Sequence, residues 1–177
     1  MRHEEVAFRP ARADDADELC ALARQLAVSE GGMPGRISPD WIRDNMLDSD
    51  GPVRVLVAER DGRIAGYVAW SPMVETIFAS AGAYVGDLVV DAGHRSHGIG
   101  RRLLAAAAAD ARACGRQHLW LVTGQADSAA DRFYRRIANI RQETVGFAFA
   151  DETFTRLADE GQSLPASHPT PTNEETT

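Results

Sequence analysis

A short basic and glycine-rich stretch, HRSHGIGRR at residues 94–102, is the part of the sequence that most clearly suggests chemistry. It joins an apolar stretch that predicts a strand to an alanine-rich stretch that predicts a helix. Gly98 and Gly100 lack Cβ atoms, so an anion can approach the backbone N–H groups at the helix start, where the helix dipole favours it. Positive charge is added nearby by Arg95, His97 and Arg101. The stretch predicts an anion-binding turn, and a loosened helix start with solvated arginines is the alternative.

Two well-known phosphate-binding loops do not fit this turn. A Walker loop ends in Gly-Lys-Ser or Gly-Lys-Thr, and the chain contains neither. A dinucleotide-binding loop needs a third glycine three residues after Gly100, where this chain has Leu103. The remaining pattern is R-x-x-G-x-G between a strand and a long helix.

The elements that position this turn follow from hydrophobic periodicity and turn residues. Strands are predicted at residues 5–9, 52–59, 63–70, 83–90 and 117–123, with closing strands at 143–150 and 153–157. Helices are predicted at residues 14–27, 38–47, 98–114 and 127–137, and a connecting loop at 71–82. This order predicts a mixed sheet with flanking helices in an α/β fold. A chain of 177 residues suits a single domain, assigned here to 1–158, and the aperiodic segment 159–177 is predicted to be a disordered tail.

Composition narrows the class of partner. The net charge of −7 argues against non-specific nucleic-acid binding and suits a cationic small substrate. Cys20 and Cys114 show no disulfide or metal-site spacing, so we expect reduced thiols and no metal. The polar N-terminus and the lack of a long apolar run predict no signal peptide, no membrane association and a cytoplasmic protein.

The wider stretch at residues 83–107, AYVGDLVVDAGHRSHGIGRRLLAAA, resembles the acetyl-CoA-binding motif of the GNAT superfamily of N-acetyltransferases. A second family element, A-x-x-F-Y, is matched at residues 130–134, and the opening AFRPARADDADEL is also similar to the family. The resemblance covers about residues 4–157. It implies the GNAT fold, with the fourth and fifth strands splayed apart, and acetyl-CoA as co-substrate without a metal.

The resemblance also implies where acetyl-CoA lies. The pantetheine arm would pair with the backbone of the fourth strand at Leu88, Val89 and Val90. The diphosphate would lie on the turn formed by Arg95, Ser96, His97, Gly98, Ile99, Gly100 and Arg101. Phe133 belongs to the second motif, and Asp127 stands where relatives often have an asparagine that contacts the cofactor, although a helix cap explains it equally well.

Three side chains are candidates for proton transfer. The resemblance makes Tyr134 the general acid for the leaving thiolate, with a packed aromatic as the alternative. Asp87 matches the second acid of a pair found in the diamine and amino-acid side-chain branch, where Gly86 replaces the first acid; a turn-holding carboxylate is its alternative role. Glu75 lies in the predicted loop before the fourth strand and is the third candidate. Apolar candidates for the acceptor pocket, or for the core, are Trp41, Met46, Trp70 and Met73.

The sequence favours an acetyltransferase acting on a small-molecule primary amine, and it leaves a homodimer open. An enzyme acting on a protein N-terminus or lysine is a second reading. A non-catalytic acyl-CoA-binding domain is a third, because Gly86 replaces an acid and Ala138-Asn139 replaces the glycine-containing turn usual after the second motif.

Overall fold

The computed structural model describes residues 6–124 and 128–162, which fall in two units divided after Ile137. The first unit holds a five-stranded sheet whose strands follow one another in chain order. They are β1 (Ala7–Pro10), β2 (Arg54–Arg60), β3 (Arg63–Glu75), β4 (Ser80–Val90) and β5 (Leu119–Trp120). Neighbouring strands from β1 to β4 are antiparallel, and β5 runs parallel to β4. The predicted mixed sheet of an α/β fold is confirmed.

Four helices belong to the same unit. They are α1 (Ala16–Ser29), α2 (Pro39–Met46), α3 (Ile99–Ala113) and α4 (Ala129–Tyr134). Ser38 and Ser128 begin α2 and α4 as N-caps, because each hydroxyl accepts a hydrogen bond from a backbone N–H three residues later. Their short side chains therefore fix where the two helices start.

The core lies on both faces of the sheet, as strand alternation requires. On one face, α1 and α2 pack on side chains that include Val57, Tyr67 and Val89. On the other face, α3 packs on side chains that include Val68 and Trp70. Each strand from β2 to β4 supplies core residues on both faces of the sheet, so α1, α2 and α3 all pack on this sheet.

The connection between β3 and β4 differs from the predicted loop at 71–82. β3 continues to Glu75 and β4 begins at Ser80, and the two strands pair as a long hairpin with Glu75 opposite Ser80. The small residues at 80–83 carry little hydrophobic signal, but Gly82 is required by packing, because a Cβ there would collide with the imidazole of His118. The loop prediction was wrong because this pairing depends on tertiary contacts.

β5 is much shorter than the predicted strand at 117–123. It pairs with β4 only at Leu119 and Trp120, opposite Ala83 and Tyr84. Residues 121–124 then leave the sheet while β4 continues to Val90. The predicted separation of the fourth and fifth strands is confirmed, and it starts directly after this short pairing.

The second unit contains one helix, α5 (Asp151–Gln162), among its described residues. The closing strands predicted at 143–150 and 153–157 were wrong: residues 138–150 form neither helix nor strand, and the second segment lies inside α5. Phe154 and Leu157 are three residues apart, which places them on one face of a helix but on opposite faces of a strand. α5 also passes the predicted domain boundary at residue 158, and the rest of the predicted tail, 163–177, lies outside the described residues.

In the part of the chain that the structure describes, no helix combines the length and the apolar character needed to span a membrane.

Candidate functional site

The centre of the site is an irregularity in β4. Ala69 pairs with Asp87, but the next residue, Trp70, pairs with Val85, so Gly86 is an extra residue in β4. A one-residue bulge reverses which face the following side chains occupy. Val85 accordingly packs on the α3 side, whereas Val89 packs on the α1 and α2 side. The bulge therefore turns Asp87 away from the α3 side of the sheet.

Beside this bulge, the sheet opens into a cleft of about 510 Å³. Residues 85–88 of β4 form one wall and residues 121–123 form the other, and α1, α2 and α4 supply the rest. Its lining residues are Ala23, Leu26, Ala27, Glu30, Ile37, Trp41, Met46, Val85, Gly86, Asp87, Leu88, Leu121, Val122, Thr123, Ala130 and Tyr134. The volume falls in the range of roughly 300–1,000 Å³ that is usual for small-molecule sites.

Asp87 is a half-buried carboxylate that lines this cleft. Its Oδ2 accepts a hydrogen bond of 2.8 Å from the hydroxyl of Tyr67, a fully buried residue. Burial raises the pKa of Asp87, and the hydrogen bond from Tyr67 opposes that rise. Burial, together with the Asp87 charge, also raises the pKa of Tyr67. The hydrogen bond from Tyr67 orients Asp87, and burial makes its carboxylate a stronger base than that of an exposed aspartate.

Tyr134 is the last residue of α4 and lines the same cleft. Its ring packs edge-on against Phe133, with 5.1 Å between the ring centroids. Burial, and after it the negative charge of Glu30, raises the pKa of Tyr134 to about 12. Its phenol is therefore neutral at physiological pH and has a proton to donate.

The basic turn lies where β4 ends and α3 begins. Arg95 Nε donates a hydrogen bond of 3.0 Å to the carbonyl of Val90, which ties the turn to β4. Ser96 and Gly98 both have positive φ, 66° and 76°, and Gly98 is the N-cap of α3 without a side-chain hydrogen bond. The first N–H groups of α3, at residues 99–101, have no acceptor within the helix. The backbone N–H groups of the turn can therefore form hydrogen bonds only with an acceptor outside the helix.

Side chains around the turn divide into exposed and packed ones. Arg95, His97 and Arg101 are exposed, as an anion site requires, and His97 Nδ1 lies 2.7 Å from the Arg95 carbonyl. Ile99 is buried in the core, so only its backbone faces the turn. The guanidinium of Arg102 stacks 4.4 Å from the ring centroid of Phe8 on β1 and does not belong to the turn.

The end of β4, the turn and α4 converge at Gly100. A Cβ at that position would lie 3.6 Å from Val90 Cγ2 and 3.7 Å from Phe133 Cζ. Of the three β4 residues predicted to hold pantetheine, Leu88 lines the cleft, whereas Val89 and Val90 pack on opposite faces of the sheet. The residues predicted from the two separate motifs therefore meet in space.

Some predicted residues do not join them. Glu75 lies at the far end of β3, six residues beyond Ala69, which is roughly 20 Å along a strand. This distance removes Glu75 from the group formed by Asp87 and Tyr134. Asp127 lies outside the described residues. Of the four apolar candidates for the pocket or the core, Trp41 and Met46 line the cleft, Trp70 is buried in the α3-side core, and Met73 lies on the hairpin away from the cleft.

Glu30 is a cleft residue that sequence reasoning missed. It follows directly after α1, and its Oε2 would be 2.8 Å from a Cβ added at Gly124. The predicted helix ended at residue 27, so no sequence signal indicated that Glu30 directly follows α1, where the helix dipole disfavours negative charge. Among the residues that the structure describes, no arginine or histidine lines the cleft. Among the described residues there is also no group of three or more metal-ligating side chains.

Comparisons with known proteins agree with this arrangement. Streptothricin acetyltransferase from Streptomyces lavendulae is 34% identical to this chain over 138 residues, a match that covers 72% of this chain and 64% of that protein. The chain thus spans less than two thirds of that relative's length.

Two solved structures share the fold at identities too low to show more. An aminoglycoside acetyltransferase, meta-AAC0020, from an uncultured soil metagenomic sample and in complex with sisomicin, has a TM-score of 0.69 and 19% identity, covering 83% of this chain and 97% of that one. The aminoglycoside N-acetyltransferase AAC(6')-Iy in complex with CoA has a TM-score of 0.71 and 16% identity, covering 83% and 95%.

The family model described as the acetyltransferase (GNAT) family matches residues 20–139. That match takes in the opened sheet, the bulge, the basic turn and the α4 tyrosine. This chain belongs to the GNAT family of acetyltransferases.

Proposed function

We propose that this protein is an acetyl-CoA-dependent N-acetyltransferase that moves the acetyl group directly to a primary amine of a small molecule. The observation that carries the proposal is that a single cleft holds Asp87, with its raised pKa, and Tyr134, with its neutral phenol. Its similarity to streptothricin acetyltransferase and the fold shared with aminoglycoside acetyltransferases support a small amine as acceptor.

The donor would bind through backbone groups and a few cations. The free N–H groups at the start of α3 suit a diphosphate, and Arg95 and Arg101 supply compensating charge, with the exposed imidazole of His97 beside them. Ser96, Gly98, Ile99 and Gly100 contribute backbone to this site. The pantetheine arm would follow β4 at Leu88, Val89 and Val90, and Phe133 packs where α4 closes on the turn.

The reaction then needs a base and an acid. An alkylamine with a pKa of about 10.4 is mostly protonated at neutral pH, so Asp87 would accept a proton from the bound ammonium. The neutral nitrogen attacks the thioester carbonyl, the C–N bond forms and the C–S bond breaks. A backbone N–H of β4 stabilises the developing oxyanion, and Tyr134 gives its proton to the leaving thiolate. The nitrogen loses its second proton as the amide forms, and that proton returns to the Tyr134 phenolate through water, while Asp87 releases its proton to solvent.

One experiment tests this function directly. Free coenzyme A release is measured with a panel of small amines and with peptides carrying free N-termini or lysines, beside acetyl-CoA binding by calorimetry. We expect turnover with small amines. The chain contains no lysine, so autoacetylation of lysine side chains does not contribute to the signal. Binding of acetyl-CoA without turnover would show a non-catalytic acyl-CoA-binding domain, and turnover with peptides alone would show a protein acetyltransferase.

A further inference from the structure

A polar group lies inside the apolar core on the α1 and α2 side of the sheet. It is the hydroxyl of Tyr67, a fully buried residue that packs with side chains such as Val57, Ile64 and Val89. We propose that Tyr67 is a positioning residue for the base, whose hydroxyl holds Oδ2 of Asp87 so that Oδ1 takes the proton of the acceptor ammonium. This inference rests on the proposed function, because it concerns how the base of that reaction is held.

The register of the sheet brings the two side chains together. Tyr67 on β3 pairs with Val89 on β4, so Asp87, two residues before Val89, is a diagonal neighbour of Tyr67 on the same face. The extra residue Gly86 makes this possible, because regular alternation from Val85 would place Asp87 on the α3 side. The bulge and the tyrosine therefore act as one device that presents this carboxylate to the cleft.

The hydrogen bond divides the two oxygens of the carboxylate between the protein and the acceptor. The Tyr67 hydroxyl lies 2.8 Å from Oδ2 of Asp87, and among the described residues neither side chain has another hydrogen-bond partner. A buried hydroxyl is costly to leave unpaired, so this contact holds the orientation of Asp87. Oδ1 is left without a donor on a residue that lines the cleft, and it is the oxygen that an ammonium group can protonate.

The same contact affects how readily Asp87 ionises. Burial raises the pKa of Tyr67, so its hydroxyl stays protonated and always donates, and this donation lowers the pKa of Asp87 against the effect of burial. The other titratable side chains in the described cleft lining are Glu30, which follows α1, and Tyr134 on α4, and neither is bonded to Asp87. In that lining, α2 and residues 121–123 contribute no titratable side chain. Without the Tyr67 hydroxyl, Asp87 should stay protonated, and inactive as a base, up to a higher pH.

The first test is the pH profile of Tyr67→Phe, which removes one oxygen and keeps the ring that fills the core. The acceptor is the strongly basic amine with the highest turnover in the coenzyme A release panel. We expect the acid limb of kcat/KM to move up by about one pH unit, the size expected for a lost hydrogen bond to a charged group. Ile64→Val removes a methyl group from the same core cluster, and it should lower the melting temperature but leave the acid limb in place. An unchanged limb in Tyr67→Phe, or equal displacement in both variants, would overturn the inference.

A double variant shows whether Tyr67 acts through Asp87. In the Asp87→Asn background, adding Tyr67→Phe should change kcat/KM by no more than about twofold, because the carboxylate that Tyr67 positions is already absent. Two independent losses multiply, so the same loss from Tyr67→Phe in both backgrounds would give Tyr67 a purely structural role and contradict the inference.

The role of Tyr67 can also be measured without turnover, so its failure is distinct from failure of the proposed function. The carboxyl carbon of Asp87 is titrated by 13C NMR in the wild type and in Tyr67→Phe, and its signal is identified by its loss in Asp87→Asn. A higher pKa of Asp87 in Tyr67→Phe supports the inference even if no amine is acetylated, and an equal pKa contradicts it.

A second change at position 67 tests the same contact with the opposite sign and serves if Tyr67→Phe does not fold. Site-specific 3-fluorotyrosine keeps the ring and the hydroxyl, and its more acidic hydroxyl is a stronger donor to Asp87. The pKa of Asp87 in the NMR titration should then fall below that of the wild type. A pKa that does not fall would show that the Tyr67 hydroxyl does not act on Asp87.

Discussion

At the scale of the residue, the surroundings of Tyr134 keep its phenol protonated. Its pKa of about 12 means that the phenol stays protonated across the physiological range and can serve as an acid. We expect Tyr134→Phe to lower kcat by about tenfold or more, the lower range of general acid catalysis, while acetyl-CoA affinity is retained. Turnover under conditions where chemistry limits the rate checks this. Tyr84→Phe, outside the cleft lining, is the matched control, and equal kcat values for the two variants would return Tyr134 to a packing role.

Asp87 gives a prediction whose sign depends on its raised pKa. A base acts only when deprotonated, so activity should fall as the pH drops through the raised pKa of Asp87, at a higher pH than for an exposed aspartate. Asp87→Asn should reduce turnover of strongly basic alkylamines much more than turnover of α-amines, which are largely neutral near pH 8. The full pH profile of kcat/KM for both amine types is the measurement; parallel losses would exclude Asp87 as the base.

The raised pKa of Asp87 predicts that stability changes with pH in the direction opposite to activity. Ionisation of Asp87 is easier in the unfolded chain, so the stability that its neutral form contributes is present at low pH and lost as pH rises through the folded-state pKa. Asparagine keeps an oxygen that accepts the hydrogen bond from Tyr67 and never ionises. Asp87→Asn should therefore have an equal or higher melting temperature at pH 7. A large loss of stability there would assign Asp87 a structural role.

At the scale of the element, the turn before α3 depends on backbone that stays open to the ligand. A Cβ at Gly98 would meet nothing within 4 Å, so a bulky side chain there would obstruct the bound anion and leave the protein packing unchanged. We expect Gly98→Val to abolish coenzyme A binding in calorimetry while the protein remains folded. Gly115→Val is a close control, because Gly115 has the same φ of 76° and equally open surroundings. Loss of binding in both variants, or in neither, would contradict the assignment of the turn.

A substitution at the β4 bulge should raise the turnover of this protein. A Cβ at Gly86 would touch only Tyr84 Cε1, at 3.8 Å, so β4 accepts a side chain there. Placing an acid there with Gly86→Glu should add a second carboxylate beside Asp87 and raise turnover of strongly basic amines by about tenfold. Gly35→Glu adds the same charge at an open position away from the cleft and should have no effect. Unchanged turnover with Gly86→Glu would show that the bulge does not adjoin the reacting amine.

At the scale of the whole molecule, acidic and basic groups lie at different places, which suits one cationic ligand and one anionic ligand. The net charge is −7 and the described residues of the cleft lining include no arginine or histidine, yet the turn before α3 is basic. The Debye length falls from about 10 Å at 0.1 M salt to about 3 Å at 1 M salt. Raising the salt concentration should therefore increase the KM of a cationic acceptor. The increase should be larger for a diamine than for a monoamine, measured as KM against ionic strength. An equal salt dependence for both amines would contradict an electrostatic preference.

The sequence by itself determined the features that local chemistry controls. Hydrophobic periodicity, turn residues and the glycines of the basic turn indicated the order of elements through α4 and the anion site. These signals act over a few residues and need no distant partner. The motif pattern further indicated that Leu88, Gly98 and Tyr134 belong to one site, although 46 positions separate the first from the last.

Only the tertiary structure decided the shape of the cleft. The bulge at Gly86 depends on how β3 pairs with β4, and the separation at Trp120 depends on where β5 stops pairing. The distance that excludes Glu75, and the entry of Glu30 into the cleft, follow from long-range packing that no local pattern encodes. The alternating residues at 143–150 show the converse: a strand-like pattern does not become a strand without a neighbouring strand to receive its hydrogen bonds.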